Sequence, residues 1–121
     1  MSDWAVSPSA ETDWQIDPDD FARRLQERWP EAILEPSDRS TRTIEFIVPV
    51  GDGSQVGGYL ATSRKAAWFD GDVAPAAEVA AWLREQVPAD QELSFYDQAY
   101  EVVLPLRPGI TPDQIVAAAT G

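Results

Sequence analysis

The sequence predicts an α+β fold: a mainly antiparallel sheet of five or six strands, with two helices packed on one face and a short C-terminal helix. Segments 17–29 and 73–86 each begin with residues typical of a helix start and continue with apolar residues at helical spacing. Segment 42–50, RTIEFIVPV, alternates apolar and polar residues as a half-buried strand does. Segment 93–106, LSFYDQAYEVVLPL, holds two more apolar runs separated by a polar break.

The length of 121 residues and the hydrophobic fraction of 44% fit one domain with its own core. We assign this domain to residues 13–121. Residues 1–12, MSDWAVSPSAET, are small, polar and acidic around a lone tryptophan, so we expect a flexible N-terminal tail. The alternative for this segment is a docking peptide anchored by Trp4.

The first helix has a clear start and a clear buried stripe. Asp17 can cap its first turn, and Pro18 suits the first helical position. Phe21, Leu25 and Trp29 recur at helical spacing, so these side chains are expected to face the sheet.

Four short strands are expected between the two main helices, over residues 32–34, 42–50, 55–62 and 66–70. A glycine-rich turn at 51–54 joins the second and third of them into a hairpin, and with the loop at 38–41 and the turn at 63–65 the four form an antiparallel meander. The run GDGSQVGG lacks the spacing of a phosphate-binding loop, and no helix start follows it. The pair Gly57-Gly58 therefore indicates a bulge or close packing.

The second helix, 73–86, follows a capping residue, Asp72, and carries Val79 and Leu83 on its buried stripe. Thr111-Pro112-Asp113 is a further helix start and predicts the short C-terminal helix.

Segment 93–106 predicts the last two strands, joined by a turn at Asp97-Gln98. Val102, Val103 and Leu104 are apolar on both faces, so the second of these strands is expected inside the sheet. The expected core consists of Phe21, Leu25, Ile44, Phe46, Val48, Leu60, Trp68, Leu83, Leu93, Phe95, Val102 and Leu104.

The composition argues against several chemistries. There is no cysteine and no histidine, which removes disulfides, thiolate nucleophiles, the commonest metal ligand and the commonest general base. No serine lies in a GxSxG context. We therefore expect no enzymatic activity, no catalytic residue and no cofactor, with a hydrolase that uses only carboxylates as the alternative.

Charge restricts the partners. The formal net charge is -12, from 21 acidic and nine basic residues, and the largest basic cluster is Arg23, Arg24 and Arg28. Phosphate binding needs a basic face, so we expect no nucleic acid and no anionic membrane as partner. An acidic surface suits a basic protein partner. The alternative is that the charge only maintains solubility.

Targeting signals are not visible. The N-terminus lacks a basic region followed by an apolar run, and the most apolar stretch, 73–83, is too short to cross a bilayer. We therefore expect a cytoplasmic protein.

Two polar clusters are the candidate binding sites, because loops beside strand ends collect functional residues. The candidates are Asp70, Asp72, Tyr96, Asp97, Tyr100 and Glu101. The segment FDGD lacks the ligand spacing of a calcium loop, so no metal site is assigned. The structural alternative is that Asp70 and Asp72 form a turn and a helix cap while Asp97 forms a turn.

Three segments carry a resemblance: WQIDPDDFARRLQERWP, EFIVPV and AAWLREQVPADQELSFYDQAY. Across residues 14–110 the chain resembles small acidic actinobacterial proteins of unassigned function, of the immunity or accessory type. The resemblance implies a small α+β domain that binds and blocks a cationic toxin, and it transfers no site residue.

The leading hypothesis is therefore a non-enzymatic, acidic protein-interaction domain, immunity-like or antitoxin-like, that binds a basic protein. A module that binds a small ligand or a metal through Asp70, Asp72, Asp97 and Tyr100 is the alternative.

Overall fold

The computed structural model describes residues 3–51 and 53–120. The strands are β1 (Asp3–Pro8), β2 (Ile33–Pro36), β3 (Arg42–Gly51), β4 (Ser54–Ala61), β5 (Ala67–Asp70), β6 (Leu93–Asp97) and β7 (Val103–Leu106). The helices are α1 (Pro18–Arg28), α2 (Val73–Gln86) and α3 (Pro112–Thr120). In the described ranges, the strands form one antiparallel sheet in the order β2-β3-β4-β5-β1-β6-β7. The α+β class is confirmed, but within these ranges the sheet has seven strands and not five or six.

The additional strand is β1, which lies inside the sheet between β5 and β6. The indole of Trp4 is buried and stacks on Phe95 at a centroid distance of 5.2 Å. Further along, the Thr12 hydroxyl donates to the side-chain oxygen of Gln91. The expectation of a flexible tail is therefore wrong for residues 3–12. The docking alternative for Trp4 is also wrong, because that side chain belongs to the core.

The helices begin where the sequence predicts. In α1, an Asp17 carboxylate oxygen accepts hydrogen bonds from the amides of Asp19 and Asp20, which caps the first turn. Phe21 and Leu25 are buried as expected. The longest helix, α2, has 14 residues, and within the described ranges no helix is long and apolar enough to cross a membrane.

The meander β2 to β5 is confirmed, and close packing explains one of its paired glycines. A Cβ on Gly58 would collide with the carbonyl oxygen of Trp68 and would lie 2.9 Å from the ring of Phe46. The turn between β3 and β4 contains Asp52, which lies outside the described residues.

Strand β7 lies at an edge of the sheet, so the prediction of an interior strand is wrong. Val103 is 58% exposed, and Pro105 lacks an amide hydrogen that a further strand would need. The apolar residues of β7 therefore do not indicate a strand covered on both faces. One face of the strand packs against the core, and the other exposes an apolar side chain to solvent.

Alternation along the strands gives the sheet two faces. The helix face carries Val6, Phe69 and Phe95, which pack with all three helices into one core. The opposite face, which we call the open face, carries Ala5 and Trp68 on strands β1 and β5. Most of the expected core residues are buried, whereas Ile44 and Val102 are only partly buried against the core. Trp68 is the substantive exception, because it lies on the open face.

Arg84 is a buried residue that the sequence pattern does not reveal. Its side chain is 1% exposed, and its guanidinium donates to the carbonyl oxygens of Gln91 and Pro88, both at 2.7 Å. Burial lowers the pKa of this guanidinium, although neighbouring Glu85 acts in the opposite direction. Arg84 thus fastens the α2–β6 loop to the end of α2.

Candidate functional site

Aromatic side chains line up across the open face of the sheet. Tyr59 on β4 is paired directly with Trp68 on β5, and Trp68 is paired with Ala5 on β1. Ala5 is in turn paired with Tyr96 on β6. Directly paired residues of antiparallel strands lie on the same face, so these side chains form one row.

The rings in this row contact one another. Centroid distances are 6.5 Å between Tyr59 and Trp68, 6.0 Å between Trp68 and Tyr96, and 5.2 Å between Tyr96 and Tyr100. Ala5 is fully buried although it lies on the open face, which is consistent with the rings of Trp68 and Tyr96 closing over it. We call Tyr59, Trp68, Tyr96 and Tyr100 the aromatic row.

Local contacts hold the two tyrosines at one end of the row. The Ser7 hydroxyl donates to the hydroxyl oxygen of Tyr96 at 3.1 Å. Tyr100 lies in the β6–β7 turn with φ at 58°, a conformation that costs a tyrosine about 1–3 kcal/mol. The residue is 69% exposed, and its ring stacks on Tyr96 with an interplanar angle of 10°. The turn therefore holds an aromatic ring in solvent.

An arginine of the chain itself occupies the other end of the row. The guanidinium carbon of Arg42 lies 4.2 Å from the ring centroid of Tyr59. Arg42 also forms an ion pair with Glu45 at 2.9 Å. The Ser37 side chain and then Arg42 lower the pKa of Glu45, against the opposing effect of burial. Tyr59 and Glu45, paired directly across β4 and β3, thus hold a guanidinium between them.

Beside the aromatic row is an open depression of about 740 Å³. Its lining includes Ile33 and Ile47, which are 55% and 42% exposed. The charged residues in the lining are Asp3, Glu35, Arg42, Glu45 and Asp70. We call this feature the acidic depression, because carboxylates outnumber the one guanidinium.

Asp70 and Asp3 lie at one end of the acidic depression, directly opposite each other on β5 and β1. The Asp70 carboxylate extends over Gly57 of β4, where an added Cβ would lie 3.2 Å from its Oδ1 atom. Like charges placed directly opposite each other disfavour the folded state, so this pair of carboxylates is not explained by stability.

The sequence-predicted site residues separate into two groups. Asp70, Tyr96 and Tyr100 belong to the open face, and the two tyrosines are in contact. Asp97 is paired with Trp4 and therefore lies on the helix-face side, where its carboxylate accepts a hydrogen bond from the Val102 amide at 3.1 Å. Asp97 thus has the turn-forming role that was its structural alternative.

The other two predicted residues lie outside the aromatic row. Asp72 occupies the cap position of α2 without a side-chain capping bond, and Glu101 is exposed in the β6–β7 turn. The set Asp70, Asp72, Asp97 and Tyr100 therefore does not converge on one face. In the described part of the chain, no group of three or more acidic, histidine or cysteine side chains is arranged to hold a metal ion.

Tyr59, Trp68, Arg42 and Asp3 belong to this face but were not candidates from the sequence. Glu45 in the middle of β3 is the one sequence signal for it, because a charged residue in an otherwise apolar strand marks the wet face. The register that pairs Glu45 with Tyr59 is needed to extend that signal to the next strands. Comparison with protein-family models, with curated proteins and with solved structures found no match.

Proposed function

We propose that this chain is a non-enzymatic protein-interaction domain whose open face binds a basic protein partner. The observation that supports this proposal is the aromatic row on the sheet face that the helices leave uncovered. Large, rigid aromatic side chains dominate the binding energy of protein interfaces, because they bury much apolar area at a small entropic cost. Exposed Ile33, Ile47 and Val103 extend the apolar surface of the same face.

Charge favours a basic protein over a nucleic acid. Bases of single-stranded nucleic acids also stack on aromatic sheet faces, but their phosphates need cationic neighbours. Here the neighbours are Asp3, Glu35, Glu45 and Asp70, with Arg42 already paired to Glu45. These carboxylates repel phosphates and attract arginine and lysine.

Charge also argues against a second copy of this chain as the occupant. Each copy carries a net charge of -12, and its open face is acidic, so two such faces would repel. A basic partner of the kind implied by the immunity-type resemblance would be repelled neither as a nucleic acid is nor as a second acidic copy is.

The test uses three immobilised forms of the chain: the wild type, a Trp68→Thr, Tyr100→Gly double variant, and a Trp14→Leu control. Glycine tolerates the positive φ at residue 100, so this change removes the ring without new backbone strain. Trp14 is a partly buried indole that packs against the core on the helix side. Proteins captured from the source organism are identified by mass spectrometry, purified and titrated against each form.

We expect a basic protein that binds the wild type and the control alike and binds the double variant roughly tenfold more weakly. Thermal melts confirm that all three forms are folded. Captured partners without net positive charge, or equal affinity for the wild type and the double variant, would contradict the proposal. So would tighter binding to single-stranded nucleic acid or to a second copy of the chain.

A further inference from the structure

We infer that the acidic depression receives an arginine side chain of the partner, with its guanidinium on the indole of Trp68 and paired by Asp70 and Asp3. This inference rests on the proposed function and names the chemistry of its contact. It follows from three features of the open face. One arginine of the chain already makes such a contact, a similar arrangement on the next strand lacks an arginine, and a glycine beneath that arrangement leaves room for its carboxylate.

Arg42 is the example of such a contact within the chain itself. Its guanidinium lies over the ring of Tyr59 at 4.2 Å and pairs with Glu45 at 2.9 Å. The face of an aromatic ring is the negative side of its quadrupole and attracts the guanidinium. A carboxylate at the ring edge accepts hydrogen bonds from it in defined directions. This part of the open face therefore already holds one guanidinium between a ring and a carboxylate.

The neighbouring strand carries the same pair of groups. Trp68 lies beside Tyr59, with nearly parallel rings at an interplanar angle of 18°. Asp70 is two residues further along β5 and therefore on the same face as Trp68, with Asp3 directly opposite on β1. Indole is the strongest cation–π acceptor among the side chains, so the ring of Trp68 suits a cation.

Residue 57 is a glycine, which leaves room for the Asp70 carboxylate to lie over β4. A Cβ there would approach Asp70 Oδ1 to 3.2 Å and would push the carboxylate away from β4. Trp68, Asp70, Asp3 and Gly57 all line the acidic depression, whose volume of about 740 Å³ exceeds that of one side chain. The free space, the ring of Trp68 and the two carboxylates thus belong to the same depression.

Arginine fits this arrangement better than lysine. The planar guanidinium can stack on a ring and donate to a carboxylate at the same time, whereas an ammonium is a compact, strongly hydrated point charge. Two carboxylates can also share the several donors of one guanidinium.

The experiment titrates the full chain with a short capped peptide of alternating arginine and glycine. Matched peptides replace arginine with lysine or with citrulline, its uncharged analogue of similar shape. Binding is followed by the NMR shifts of the Trp68 indole and of the Asp70 and Asp3 amides. The variants are Asp70→Asn, Gly57→Val and Trp68→Leu. The control is Asp113→Asn, which changes the net charge equally on the distant helix side.

We expect the arginine peptide to shift the Trp68 indole and to bind more tightly than the lysine peptide, with no binding of the citrulline peptide. Asp70→Asn and Trp68→Leu should each weaken binding about three- to fivefold. Gly57→Val should weaken it without any change of charge. Asp113→Asn should bind as the wild type does.

Equal binding of the lysine peptide, or an equal loss in Asp113→Asn and Asp70→Asn, would overturn the inference, because either result means attraction by net charge alone. If Trp68→Leu does not fold, Gly57→Val and Asp70→Asn still decide. Absence of peptide binding, with a captured partner that still needs the aromatic row, would reject the arginine site and leave the proposed function standing. A captured partner that ignores the aromatic row would reject the proposed function itself.

Discussion

Single residues determine details of the sheet surface that the hydrophobic pattern does not predict. The adjacent glycines of β4 have different roles because alternation points them to opposite faces. Gly58 faces the core, under the ring of Phe46 and against the backbone of β5, whereas Gly57 faces the acidic depression beneath Asp70. The sequence indicated a bulge or close packing at this pair but not which glycine was closely packed, since that depends on the register with β5.

Replacing Gly58 with alanine should lower the free energy of unfolding by about 1–3 kcal/mol, because the new Cβ meets backbone atoms that cannot rotate away. The matched control is Gly57→Ala, where the obstacle is the flexible carboxylate of Asp70 and the change should stay within about 0.5 kcal/mol. Urea unfolding of both variants measures the difference. Equal effects would mean that Gly58 is not packed against β5 in this way.

At the scale of elements, local signals located the helices and the meander but not the first strand. Periodicity, caps and turn residues act within a few positions, and α1, α2 and the β3–β4 hairpin carry them clearly. Strand β1 carries none, because DWAVSP is short and contains polar residues and a proline. It is a strand because β5 and β6, which lie far along the chain, offer hydrogen-bond partners on both sides.

Introducing a charge into β1 should therefore damage the whole fold. Val6 is 2% exposed on the helix face, so Val6→Asp should cost at least about 3 kcal/mol of unfolding free energy. Ala10→Asp adds the same charge at an exposed position just beyond β1 and should be near neutral. Urea unfolding followed by tryptophan fluorescence compares the two variants. Equal stability of the two variants would contradict the packing of β1 in the sheet and support the expectation of a flexible tail at residues 1–12.

At the scale of the whole molecule, charge and architecture act together. Among the described residues, the helices lie on one face of the sheet, and the other face carries the aromatic row and the acidic depression. Ion pairs join Arg23 to Asp20 and Glu27, and Arg42 to Glu45. Nine basic residues cannot neutralise 21 acidic ones, so like charges within the folded chain repel one another.

Salt should consequently stabilise the free protein. Raising NaCl from about 0.01 M to about 0.15 M shortens the Debye length from roughly 30 Å to roughly 8 Å and screens this repulsion. We expect the Tm to rise by about 2–5 °C. A variant that neutralises four exposed acids on loops and α3 should respond less; its changes are Glu11→Gln, Asp13→Asn, Asp90→Asn and Asp113→Asn. A Tm that does not change, or that falls, would contradict net repulsion.

The sequence by itself determined the fold class, the helices, the meander and the sign of the surface charge, because these depend on composition and on neighbours within a few residues. Tertiary structure decided where β1 lies, which strands are edges and which face stays open. Those properties depend on pairing between distant segments, and a shift of one residue in register would move every side chain to the other face. That is why Trp68, expected in the core, lies on the open face, and why Asp97, expected at a site, closes a turn.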